Sequence, residues 1–253
     1  MATRDAILRE LKLAPAWRLK ARGAPGAAAV APAEAPTRAA VLAEPGAAFA
    51  VEDPDGRRAR IAALDWAGFD ADVEACRACG LCKSRKRSVP GVGDRDAGWM
   101  FVGEGPGQEE DQKGEPFVGQ AGRLLDSMLA SLGMSREKQV YIANVVKCRP
   151  PNNRTPEPSE AEACRPYLER QIALVQPAII VALGKSAASL LLKTDATIAS
   201  LRGRRHDYGG IPLVVTYHPA YLLRSLPEKA KAWEDLLFAR RVASSVAAGR
   251  SSS

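Results

Sequence analysis

Apolar positions in this chain fall into two kinds of pattern. Four runs, WMFVGE (99–104), QVYIANVV (139–146), AIIVAL (178–183) and PLVVTYH (212–218), are solid apolar blocks of strand length. Between them helical spacing takes over. Leu125, Met128, Leu129 and Leu132 recur at i, i+3, i+4 and i+7, and Ala161, Cys164, Leu168 and Ile172 share one helical face. Gly184 opens a further helix with Leu190, Leu191 and Leu192 near its end, and residues 227–247 read as the last one. Strand alternating with helix predicts an α/β fold, a parallel sheet with helices on both faces. Ligands of such sheets bind beyond the carboxyl ends of the strands. That places GEGPG (103–107), NVVKCRPPNN (144–153) and HPAYLL (218–223) at the mouth of one cleft.

The first quarter of the chain is different. Ile7, Leu8, Leu11 and Trp17 form one face of a short amphipathic tail over 1–23, either a loose end or a peptide for a protein partner. Residues 24–60 are rich in alanine and proline and predict a flexible linker, since they bury too little to offset the entropy of ordering. The folded domain is expected over 62–247, with 248–253 disordered. No apolar run approaches the roughly 20 residues of a membrane span, and the N-terminus lacks the apolar core of a secretory signal. Both point to a cytoplasmic protein with no membrane partner. Nothing in the pattern demands an obligate interface, so a monomer is expected.

Charge and cysteines sharpen the picture. The 253 residues carry a formal net charge of +7 and a pI near 9.3, which suits an acidic partner such as nucleic acid and equally serves solubility. Lys147, Arg149, Arg154, Arg202, Arg204 and Arg205 gather around the expected cleft, as phosphate contacts or as a solvated face. The five cysteines are Cys76, Cys79, Cys82, Cys148 and Cys164. In a reducing compartment such spacing favours a metal centre over disulfides. Two pairs from separate segments can converge on one centre, which spacing leaves open between zinc and iron–sulfur. It also leaves one cysteine of Cys76-x2-Cys79-x2-Cys82 surplus. GEGPG lacks the third glycine of a dinucleotide loop, and Gly184-Lys185-Ser186 lacks the upstream glycine of a P-loop, so no nucleotide cofactor is expected. Of the two histidines, His218 ends a strand at the cleft, and His206 reads as a solvated loop residue.

Read together, CRACGLCKSR, GEGPGQEEDQKGEPFVGQAGRLLDSML, ANVVKCRPPNNRTPEPSEAEAC, ALGKSAASLLL and VTYHPAYLL resemble, in order, the motifs of the family 4 uracil-DNA glycosylases, the iron–sulfur branch of that superfamily. The resemblance covers about residues 70–240. It implies a three-layer α/β/α sandwich around a four-stranded parallel sheet, and excision of uracil from DNA in base excision repair. It implies a 4Fe–4S cluster held by Cys76, Cys79, Cys148 and Cys164, with Cys82 outside the set. By the same resemblance Phe117 stacks on a flipped uracil, Asn144 reads its edge, and Glu110 walls the ring near C5. Gly105 and Pro106 line the sugar side, His218 stabilises the departing base, and Glu104 helps hold the attacking water. Lys185 and Ser186 contact DNA, and Leu222 or Leu223 fills the gap left in the stack. One departure stands out: better known uracil glycosylases carry an acidic residue at the position of Gly105.

Overall fold

The computed structural model describes residues 53–250; the expected tail over 1–23 and most of the expected linker lie outside them. Two helices, α1 (Pro54–Ala63) and α2 (Trp66–Ala75), lead into the edge strand β1 (Val92–Gly93). The order continues β2 (Trp99–Gly103), α3 (Gln108–Lys113), α4 (Gln120–Ser131), β3 (Val140–Asn144), α5 (Pro158–Val175), β4 (Ile179–Leu183) and α6 (Lys185–Leu192). Then come α7 (Ile198–Leu201), β5 (Arg205–Tyr208), β6 (Ile211–Thr216), α8 (Pro219–Leu222) and α9 (Glu228–Arg250).

The sheet has six strands in the order β1-β3-β2-β4-β6-β5. Its four central strands are parallel and correspond to the four apolar runs. The two edges, β1 on β3 and β5 on β6, are antiparallel and extend the sheet beyond the four strands expected. Sequence reading missed β5 because RHDY carries three charged or polar residues and alternates exposed with half-buried positions, as an edge strand tolerates. His206 therefore sits in a strand rather than a loop, its Nε2 2.7 Å from the Leu201 carbonyl.

The period of two along each strand splits the core into two layers. Met100, Val102, Tyr141, Ala143, Ile180, Ala182, Leu213 and Val215 face α1, α2, α5 and α6. Phe101, Val140, Ile142, Ile179, Val181 and Val214 face α4 and α9. That gives three layers with every central strand covered on both sides. Among the described residues no helix is long and apolar enough to cross a membrane.

Among the described residues the first helix starts at Pro54, inside the stretch expected to be linker. Asp53 caps α1 by accepting from the Gly56 N–H at 3.0 Å, and Pro54 takes the first helical position, where its missing N–H costs nothing. Ile61 is fully buried, and Arg58 pairs with Glu169 of α5. The alanine and proline bias of the preceding residues hid this Asp-Pro helix start.

A cleft at the strand ends and a cysteine cavity

The cleft expected from topology is present, with a volume of about 520 Å³. Glu104, Gly105, Pro106 and Gly107 follow β2, Asn144 closes β3, and His218 follows β6 by two residues. Phe117, Glu110, Arg154, Tyr221 and Arg224 also line it. Parallel registry puts Gly103 beside Asn144. A Cβ at Gly103 would lie 2.4 Å from Asn144 Oδ1 and 2.8 Å from Phe117 Cζ, so only glycine lets the amide and the ring approach this backbone.

Asn144 is 2% exposed, and its Oδ1 is buried without a donor among the described residues. Its backbone carbonyl accepts from Lys147 Nζ at 2.7 Å. Lys147 itself is 1% exposed and also donates to Gln171 Oε1 at 2.5 Å. Burial pushes its ammonium down to about 8. Lys147 is therefore an internal strut and not the phosphate contact the sequence allowed.

His218 makes the geometry of its ring explicit. The Ala220 N–H donates to Nδ1 at 3.1 Å, which makes Nδ1 the acceptor and leaves the proton of a neutral imidazole on Nε2. Burial pushes the ring down to about 4; Glu110 opposes this and Arg224 adds to it. At neutral pH the cleft thus holds an uncharged donor. The Phe117 ring stacks on it, centroids 5.5 Å apart.

Glu110 does more than line a wall. Its Oε1 accepts from the N–H groups of Val118 (3.0 Å) and Gly119 (3.3 Å), and its Oε2 from Gly107 (3.1 Å). One carboxylate ties the loop after β2 to the loop that carries Phe117.

The remaining expected contacts divide. Leu222 is 1% exposed and packs with Tyr217 and Ala232, so it cannot enter a base stack. Leu223 is 39% exposed. Lys185 and Ser186 open α6 and do not line the cleft. Of the basic residues expected there, only Arg154 lines it, held bidentately by Glu160 at 2.8 and 2.7 Å. Arg202 is turned away to Asp235, and Arg205 lies on the far edge strand β5. Arg224, which the sequence did not single out, does line the cleft.

All five cysteines line one small cavity between α2, the loop after β3 and α5. Cys148 and Cys164 are buried, and the other three are half-buried. Guanidinium groups reach two sulfurs: Arg85 Nη1 to Cys148 Sγ at 2.9 Å and Arg57 Nη2 to Cys76 Sγ at 3.6 Å. The Lys147 N–H donates to Cys164 Sγ at 3.3 Å. As free thiols, Cys148 is pushed up to about 11 and Cys164 to about 12 by burial, against the pull of Arg85 and Lys147 respectively. Among the described residues no three His, Cys, Asp or Glu side chains are arranged around a single metal ion. The cavity also gathers Cys82, which the family resemblance places outside the ligand set.

Comparison with known proteins agrees with this architecture. A family model of the uracil DNA glycosylase superfamily matches residues 90–237. A type-4 uracil-DNA glycosylase of Archaeoglobus fulgidus is 47% identical over 160 residues, 60% of this chain and 80% of the relative. One of Thermotoga maritima is 50% identical over 155 residues, with the same coverage. A type-5 uracil-DNA glycosylase of Thermus thermophilus is 30% identical over 188 residues, 59% of this chain and 85% of the relative. The chain belongs to the uracil DNA glycosylase superfamily, with its type-4 members.

Proposed function

We propose that the protein hydrolyses the N-glycosidic bond of uracil in DNA and leaves an abasic site, the first step of base excision repair. The observation that carries this reading is the buried Asn144 Oδ1, without a donor among the described residues, in one cleft with an aromatic ring and a neutral histidine. Uracil presents an N3–H donor and an O4 acceptor, the complement of an amide's carbonyl and amino groups. Such a bond is out of reach in a stacked duplex, so the nucleotide is swung out and its base enters the cleft. Phe117 stacks on the ring, and Asn144 reads its edge. The His218 Nε2–H donates to O2, where negative charge develops as the base departs. Leu223, the exposed leucine of the pair, takes the place of the flipped base. Arg154, Arg224, Lys185 and Ser186 face the phosphates.

Gly105 explains the division of labour. A Cβ there would lie 2.8 Å from Val146 Cγ2, so an acidic side chain at this position would displace the core beneath the loop. Leaving-group stabilisation by His218 carries the chemistry, and Glu104 at the cleft wall supports the attacking water. Purified protein incubated with a uracil-containing oligonucleotide and then treated with alkali is expected to give strand breaks only at uracil. Intact strands, or cleavage at another base of a lesion panel in preference to uracil, would overturn the assignment.

The same proposal includes a 4Fe–4S cluster held by Cys76, Cys79, Cys148 and Cys164. The residues fit the group: thiols from three separate segments line one cavity, and donors from Arg57, Arg85 and the Lys147 backbone aim at three of the four sulfurs. Sulfurs spread around a cavity suit a polynuclear core better than one tetrahedral ion. When bound, the cluster would cross-link these segments, with Cys148 tying down the loop that follows Asn144. Purified protein is expected to contain about four iron and four sulfide per chain. Alanine at any of the four ligands should abolish that content, and Cys82→Ala should preserve it. Colourless protein with one zinc per chain would refute the cluster.

A further inference from the structure

The residue proposed to stack on the base sits in a backbone conformation that needs outside support. Phe117 has φ of +55°, in the left-handed region that residues with a side chain rarely adopt. Such a conformation persists only where its surroundings over-determine it. On the N–H side of this loop the support is Glu110, which accepts from Val118 and Gly119. On the carbonyl side it is Arg136. Its Nη1 donates to the Pro116 carbonyl at 2.8 Å, its Nη2 donates to the Phe117 carbonyl, and its Nε donates to Asp126 Oδ1 at 2.6 Å.

We propose that Arg136 is a positioning residue for base recognition, acting through the carbonyls of Pro116 and Phe117 to hold the Phe117 ring on the cleft floor. The inference rests on the reading that Phe117 stacks on the flipped base. Arg136 lies in the turn between α4 and β3 and does not line the cleft, so its effect on the base passes through the loop. The planar fork matters. Two consecutive carbonyls and one carboxylate are held by three edges of one rigid group, which a single ammonium on a flexible stem cannot reproduce. Asp126 fixes the plane of that fork. The first turn of α4 closes the other side: a Cβ at Gly122 would lie 1.7 Å from the Phe117 carbonyl oxygen, so helix and loop are in direct backbone contact. With the fork removed, the loop loses its carbonyl partners while its N–H partners remain, and the ring is free to leave the position that meets His218 and Asn144.

The test uses the full chain with its metal content measured, a uracil oligonucleotide under single-turnover conditions, and 2-aminopurine beside the uracil to report flipping. Arg136→Met keeps the apolar stem and loses the fork. Its saturating rate should fall about 10- to 100-fold, the scale of small misplacements transmitted to a reacting group. The half-saturating protein concentration should move less than about twofold, because phosphate contacts elsewhere dominate affinity. The flipping signal should shrink in parallel. Arg136→Lys should recover part of the rate, and Asp126→Asn should show a smaller loss of the same kind; these two carry the test if Arg136→Met does not fold. In a Phe117→Ala background Arg136→Met should add almost nothing, since both changes remove one effect. Fully additive losses, or a wild-type rate in Arg136→Met beside an impaired Phe117→Ala, would overturn the role of Arg136 alone. A wild-type rate in Phe117→Ala would instead overturn the stacking reading and the inference with it.

Discussion

Replacing His218 with alanine is expected to lower the single-turnover rate of uracil excision by about 10²- to 10³-fold, the usual scale for losing one donor aimed at developing charge. The reason lies in the tautomer. The Ala220 N–H occupies Nδ1, so the proton of the neutral ring sits on Nε2 and is available to the base. A neutral donor is matched to an oxygen that gains charge only as the bond breaks, and so favours the transition state over the bound substrate. Affinity for uracil-containing DNA should change little, because most of it comes from phosphate contacts. The histidine also predicts a pH profile. An ordinary imidazole takes its proton near pH 6.5, whereas burial holds this one down to about 4. The rate should therefore show no acid limb centred near 6.5. Between those values the unfolded chain holds a proton that the folded one refuses, so this group makes folding stability decline as pH falls from about 6.5 to 4. A His218→Ala enzyme with an unchanged single-turnover rate would remove the histidine from the mechanism.

What the sequence disclosed follows from which interactions are local. The four parallel strands are buried on both faces and so appear as unbroken apolar runs, and the rule for strand ends then locates the cleft. The edge strands left no such trace: β5 reads Arg-His-Asp-Tyr, and β1 is two residues long. The two leucines of HPAYLL are indistinguishable by type, and only the phase of the short helix α8 turns Leu222 inward and Leu223 out. Lys147 has the charge of an exposed residue, yet Gln171 and the Asn144 carbonyl hold it inside. Arg136 carries no motif at all. Its role comes from contacts with residues 10 to 20 positions away, and pattern reading has no access to such contacts.

Asn144→Asp is expected to have the larger effect of the two substitutions, a loss of uracil excision of about 10³-fold or more, as when a site built to hydrogen-bond one edge meets a mismatched one. The side chain is almost wholly buried, and the close approach of Gly103 leaves the amide no room to turn aside. Aspartate replaces the amino donor with a second acceptor, which would face uracil's O4 lone pairs. As a carboxylate it can accept from cytosine's amino group, although it also meets that base's N3 lone pair. The variant should therefore gain weak cytosine excision while losing uracil. Fold and iron content should survive, because the backbone of residue 144 stays tied by the Lys147 ammonium and by its registry with Gly103, neither of which involves the amide. Single-turnover rates on matched uracil and cytosine oligonucleotides, with iron content as the control for folding, provide the measurement. If Asn144→Asp removes uracil at the wild-type rate, the base is read by groups other than this amide.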